Sequence, residues 1–263
     1  VSTHAGTLVD TARGKMSFAE TGSGPTRLVL HSLLTDRTAF DQVAGPLGGR
    51  FITVDLPGFG DSEPAPPSID EYAHRVAALI ETFEIDPSRL SLIGNGLGGF
   101  VALGIAIHHG DLFGRLLLVG CGAGFPERAK AAFTTMIETV SFGGMEAVVP
   151  IALRRIFTER YLDSHPEMAE ERAKVLRRTD VAAFVTACTA LQSLDYTGLA
   201  GRVVNPTMIV VGEDDQATPP PLAEGLHASI PGSTLVRLPG LAHAPQLQDP
   251  AAFIEATRRF LEG

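Results

Sequence analysis

Leu90-Ser91-Leu92-Ile93-Gly94-Asn95-Gly96-Leu97-Gly98-Gly99 leads a short apolar run into a cluster of glycines, and Phe100-Val101-Ala102-Leu103-Gly104-Ile105-Ala106 follows. An apolar run without alternation suits a parallel strand covered on both faces. The small-residue stretch Leu97 to His108 reads as a buried helix. The segment is therefore a strand, a tight turn and a helix, with Gly96 at the apex of the turn.

Similar apolar runs lie on both sides of it: Leu28 to Leu30, Phe51 to Val54, Leu116 to Val119 and Met208 to Val211. Lys15 to Glu20 alternates weakly and reads as an early antiparallel strand, closed by the turn Gly22-Ser23-Gly24-Pro25. Helical patterns separate the strands. Ile69 to Phe83 gathers Tyr72, Val76, Leu79, Ile80 and Phe83 on one face, and Leu222 to Ile230 and Ala251 to Leu261 are shorter amphipathic stretches. Alternating strand and helix predicts an α/β fold, a doubly wound and mostly parallel sheet of about eight strands.

The rhythm breaks once. From Gly122 to about Leu199 no strand pattern appears, and Glu127 to Val140, Met145 to Arg160, Glu167 to Arg178 and Val181 to Leu194 read as helices. Phe142-Gly143-Gly144 and Ser164-His165-Pro166 interrupt them. The pattern resumes at Asn205-Pro206. The expected organisation is a core domain of residues 1–122 and 199–263 with a helical cap, 123–198, inserted after a strand.

Composition bounds the function. The chain has 263 residues, 44% of them hydrophobic and only 19% charged, enough for one large core and too few charges for a disordered chain. A net charge of −9 without any basic run disfavours nucleic acid and anionic membranes as partners. Cys121 and Cys188 lack metal-ligand spacing and read as two buried thiols. Val1 to Gly14 has no charged segment followed by an apolar one, so no signal peptide is expected. No apolar stretch reaches the roughly 18 residues needed to span a bilayer, and a cytoplasmic protein is the expectation.

Gly94 and Gly98 flank the apex as the two glycines do in the nucleophile elbow G-x-S-x-G, but Gly96 stands at the place of the serine. Gly94, Gly96 and Gly99 also fit the spacing G-x-G-x-x-G of a dinucleotide loop. That loop belongs on a first strand with an acidic residue ending the next one; here the run is on a middle strand and the next ends Leu118-Val119-Gly120. Two further stretches fall in the order the elbow requires. Val211-Gly212-Glu213-Asp214-Asp215 puts a carboxylate just past a strand end, with Asp215 in the better register to orient a histidine. Leu241-Ala242-His243-Ala244-Pro245 then offers His243 as general base in a late loop. Leu30-His31-Ser32-Leu33-Leu34 follows an early strand, and the amides of Leu33 and Leu97 are the expected oxyanion hole. Asn95 and Ser32 are the candidate stand-in nucleophiles, though neither occupies the elbow apex.

Together these stretches resemble the α/β-hydrolase superfamily across the whole chain, Asp55-Leu56-Pro57-Gly58-Phe59-Gly60-Asp61-Ser62 included. Within it the chain is most similar to 3-oxoadipate enol-lactonases, through His31-Ser32-Leu33, Ile156-Phe157-Thr158, His165-Pro166, Gly212 to Pro220 and Ile230-Pro231-Gly232. It departs from them at Gly96, a serine there, and at Ile156, often a tryptophan there; this chain contains no tryptophan. The resemblance implies a cofactor-free, metal-free hydrolase acting on a small-molecule ester or lactone. The cap is expected to close an apolar pocket over Gly96, with Leu33, Leu34, Leu97, Phe142, Ile151 and Phe157 in its lining and Arg154 or Arg155 reaching a substrate carboxylate.

Gly96 leaves three readings open. The chain is a nucleophile knockout of a serine hydrolase, which the otherwise intact apparatus favours. Or it works without that serine, His243 and Asp215 serving as a general base on water or in elimination chemistry. Or it is a catalytically silent binding protein.

Overall fold

The computed structural model describes residues 6–263, so residues 1–5 of the segment read for a targeting signal, and of the expected core domain, lie outside it. Eight strands form one sheet: β1 (Thr7–Thr11), β2 (Gly14–Ser23), β3 (Thr26–Leu30), β4 (Gly49–Val54), β5 (Leu90–Asn95), β6 (Arg115–Val119), β7 (Thr207–Gly212) and β8 (Thr234–Leu238). Their order is β1-β2-β4-β3-β5-β6-β7-β8. β2 pairs antiparallel with β1 and β4, and every pair from β4 across to β8 is parallel. The fold is the expected doubly wound, mostly parallel eight-stranded sheet.

The apolar runs are the inner strands because they have no polar face to spare: β3, β5 and β7 are buried at every residue. β1 and β8 lie at the two edges and are largely exposed or half-buried. Helices α1 (Asp41–Leu47), α2 (Ile69–Glu81) and α3 (Leu97–His108) cover the faces between the first six strands. α2 begins at Ser68, whose hydroxyl accepts from the Glu71 amide, and turns Tyr72, Val76, Leu79 and Ile80 inward. α3 is buried over ten of its residues, from Leu97 to Ala106, which explains its run of small side chains.

Between β6 and β7 come four helices and no strand among the described residues: α4 (Glu127–Ile156), α5 (Glu159–Ser164), α6 (Pro166–Arg178) and α7 (Val181–Ser193). A single bridge, Gly124 to Asp195, closes the base of this insertion. α4 breaks at Gly144 (φ 65, ψ −173), so it is two helices in line. By length and composition it meets the requirement for crossing a membrane, with a window of mean hydropathy 1.4, contrary to the sequence expectation that no stretch would. The expectation counted the Phe142-Gly143-Gly144 break as an end. Its Phe133, Met136, Val140, Val148, Val149 and Ala152 are buried, and it packs on α6 and α7.

The insertion rests on the carboxyl ends of the strands. Arg172 on α6 donates to Thr38 Oγ1 at 3.2 Å, Tyr161 Oη to the Leu247 carbonyl at 3.3 Å, and the Ala244 amide to the Ile156 carbonyl at 3.3 Å. The chain closes with α8 (Pro220–Ser229), α9 (Pro245–Gln248) and α10 (Pro250–Glu262).

Candidate active site

β3 has β4 on one side and β5 on the other, so the strand order reverses between β3 and β5. In an open α/β sheet a crevice forms outside the carboxyl ends of the strands at such a point. The loops that leave β3 and β5 there carry His31-Ser32-Leu33 and Gly96-Leu97.

Gly96 has φ 54 and ψ −118, a backbone shape that costs other residues free energy and glycine little. It lets β5 enter α3 in one step. Gly98 is required for closeness: a Cβ there would lie 2.7 Å from the His31 carbonyl and nearer still to that of Leu30. The Gly98 amide uses that proximity, donating to the His31 carbonyl at 2.9 Å and tying the two loops together. α3 has no side-chain cap, and among the described residues the amides of Leu97 and Leu33 donate to no acceptor. They remain available to a ligand oxygen at a helix N-terminus.

His243 and Asp215 come together as their order in the chain suggested. His243 Nδ1 is 2.9 Å from Asp215 Oδ2, and both residues are 3% exposed. The other carboxylate oxygen accepts from the Ala217 and Thr218 amides at 2.8 and 2.9 Å, which fixes the plane of the carboxylate. Nδ1 therefore carries the proton facing Asp215, and Nε2 is the acceptor. Nε2 points at the apex of the elbow: a Cβ on Gly96 would stand 2.6 Å from it. The hydroxyl facing Nε2 is that of Ser32, at 3.0 Å.

The supporting role of Thr218 and the hydrogen bonds of Asn95 are not legible in the sequence, whereas His31 reads there as structural. Thr218 Oγ1 lies 2.7 Å from the Gly120 carbonyl, 2.8 Å from Asp215 Oδ2 and 3.1 Å from His243 Nδ1. Its position three residues after Asp215 was the available signal. Asn95 Nδ2 donates to the carbonyls of Val119 and His243, and its Oδ1 accepts from Gln246. His31 is structural: Nε2 accepts from the Leu56 amide at 3.1 Å and Nδ1 donates to the Ser32 carbonyl at 2.9 Å. Burial holds its pKa below the ordinary histidine value.

The expected lining residues divide. Leu33, Leu34, Leu97 and Phe157 are buried, and Ile151 half-buried. Phe142 does not belong with them; it is 93% exposed, because the break at Gly143-Gly144 turns it out to solvent. Arg154 is exposed as well, whereas Arg155 is half-buried. Burial lowers the Arg155 pKa, and the charge of Asp215 opposes that shift. Cys121, fully buried near Asp215, has its thiol pKa pushed up, and burial pushes that of Cys188 up to about 12, so neither offers a thiolate. A cleft of about 650 Å³ opens to one side, lined by Thr35, Asp36, Arg37, Asp55, Arg178 and Asp180, and includes neither His243 nor Gly96.

Residues 28–256 match the model of the Alpha/beta hydrolase family. A pimeloyl-[acyl-carrier protein] methyl ester esterase of Neisseria meningitidis serogroup C is 30% identical, over 89% of this chain and 93% of that one. The 3-oxoadipate enol-lactonase 2 of Acinetobacter baylyi is 23% identical, over 97% and 95% of the two chains. The crystal structure of the enol-lactonase from Burkholderia xenovorans LB400 superposes with a TM-score of 0.89 at 22% identity, covering 98% of this chain and all of that one, a likeness of fold.

Proposed function

The chain belongs to the alpha/beta hydrolase family, and from that premise we propose that its site is built to hydrolyse a carboxylic ester or lactone of a small molecule. The observation that carries the reading is the aim of His243. Its Nδ1 is held by Asp215, and its Nε2 faces the apex of the elbow, beside two amides that donate to nothing else among the described residues. A proton acceptor beside paired donors suits attack by a hydroxyl on a carbonyl: the imidazole takes the proton and the Leu33 and Leu97 amides hold the oxyanion. The helices from 123 to 198 act as a cap, and Arg155 offers a positive charge to a carboxylate elsewhere on the substrate. The esterase and the enol-lactonases named above support the same chemical class.

The test restores a hydroxyl at the apex. Gly96→Ser should raise hydrolysis of small p-nitrophenyl esters above the parental rate, by as much as about 10⁶-fold in kcat where nothing in the parent replaces the triad nucleophile. A second change, His243→Ala, should remove the gain. If neither the parent nor a folded Gly96→Ser chain hydrolyses these esters, the hydrolase reading is overturned.

A further inference from the structure

We propose that in this chain Ser32, on the loop after β3, is the nucleophile, replacing the side chain that Gly96 lacks; the proposal rests on the hydrolase reading above. Ser32 Oγ is 3.0 Å from His243 Nε2 across 211 residues of sequence. Because Nε2 is the acceptor, the Ser32 hydroxyl donates to it, the arrangement by which an imidazole activates a hydroxyl.

Gly96 is a condition of that arrangement. A Cβ at position 96 would collide with Ser32 Oγ, stand 3.0 Å from Ser32 Cβ and approach His243 Nε2 to 2.6 Å. The Ser32 hydroxyl and a side chain at position 96 thus compete for one space in front of one nitrogen. With glycine at the apex the space belongs to Ser32. The serine is also held for the task. Its amide donates to Thr35 Oγ1 at 3.1 Å, and its carbonyl accepts from His31 Nδ1 at 2.9 Å and from the Thr35 amide at 3.2 Å. Backbone freedom is spent before substrate arrives, leaving the side chain aligned on its base. Leu33, the next residue, supplies an oxyanion amide, the same relation that Leu97 has to position 96. Asn95 is excluded as the stand-in, since its amide group is engaged with Val119, His243 and Gln246.

The step balances without a co-reactant. Ser32 Oγ bonds to the carbonyl carbon and its proton passes to His243 Nε2. The ester C–O bond breaks and the departing alkoxide takes that proton. Water then attacks the acyl-serine, giving its proton to Nε2; the Oγ–acyl bond breaks and the proton returns to Oγ. Ser32 is 1% exposed, so substrate reaches it only through local opening of the chain around it.

The test is covalent capture by diisopropyl fluorophosphate in the chain as it stands. Oγ forms the P–O bond, fluoride leaves and the proton goes to His243. Trypsin cuts after Arg27 and Arg37, and Ser32 is the single serine of the peptide between. One phosphoryl group per chain on that peptide is expected, absent in Ser32→Ala and slowed about 10²–10⁴-fold in His243→Ala, the range of general-base assistance. A hydroxyl that merely fills the hydrogen-bonding capacity of Nε2 would not react. No label on the folded chain, or label at Ser32 that ignores loss of His243, overturns the proposal. If Gly96→Ser hydrolyses esters while the parent stays unlabelled, Ser32 is wrong and the hydrolase reading stands; if Gly96→Ser is also inert, both fall.

Discussion

Asn95 donates a hydrogen bond to the carbonyl of His243 at 3.0 Å, joining the last residue of β5 to a loop 148 residues away. The same amide group donates to the Val119 carbonyl at 3.2 Å and accepts from Gln246 at 3.0 Å. The strand that carries the elbow thereby also holds the loop that carries the base. Replacing Asn95 by alanine leaves buried polar groups without partners, each costing about 1–3 kcal/mol. Asn95→Ala should lower stability by about 2 kcal/mol, roughly 4–8 °C in Tm. A loss under about 0.5 kcal/mol in denaturant unfolding would show that the network contributes little.

Much of this site is legible in the sequence. Gly94, Gly96, Gly98, Asp215 and His243 announce themselves because a tight turn demands glycine and because acid and base follow in order. The fully buried strands were readable for a similar reason, each being apolar at nearly every position. β1 was missed because an edge strand, half exposed, carries no such run. α1 was missed because Gly45 and Pro46 lie within its seven residues. The meeting of Ser32 with His243 was beyond reach, since it depends on a side-chain rotamer and on two loops brought together by β3 and β5.

Arg155 and Arg154 are neighbours with opposite surroundings. Arg155 is half-buried and feels the charge of Asp215, while Arg154 is exposed. In a Gly96→Ser background, Arg155→Ala should raise KM for an ester bearing a free carboxylate by about 10–100-fold, the worth of one hydrogen bond to a charged group. Arg154→Ala should leave that KM within about twofold. Equal effects from the two substitutions would remove Arg155 from substrate recognition.

His31 should make the fold sensitive to mild acid. Burial depresses its pKa, and its neutral Nε2 accepts from the Leu56 amide, a bond the protonated ring cannot make. As pH falls through about 6.5 the unfolded chain gains a proton there and the native chain does not, so stability declines from that point down. Asp55, whose pKa burial raises, acts in the opposite sense. The measurement is unfolding free energy at pH 7.5 and 5.5 for the parent and His31→Gln. The parent should lose more than the variant over this interval; parallel losses would clear His31 of the effect.

Two glycine-to-alanine substitutions should separate crowding from conformation. At Gly98 a Cβ would press on backbone, 2.5 Å from the Leu30 carbonyl carbon and 2.7 Å from the His31 carbonyl oxygen. Backbone cannot swing aside as a side chain can, so the loops after β3 and β5 must part and the bond from the Gly98 amide to His31 must stretch. The cost should be about 3 kcal/mol, the upper range for overpacking. At Gly144, where φ is +65, a Cβ would meet nothing within 4 Å. Gly144→Ala carries only the penalty of the backbone shape, about 1–3 kcal/mol. The functional consequences should differ more than the stabilities. Parting the loops displaces the Leu33 and Leu97 amides and Ser32 together, so Gly98→Ala should abolish phosphorylation of Ser32 by diisopropyl fluorophosphate even in the fraction that stays folded. Gly144 lies at the break in α4, away from the loops after β3 and β5, and Gly144→Ala should label at nearly the parental rate. Parental labelling in a folded Gly98→Ala chain would mean that the two loops need not touch for the site to work.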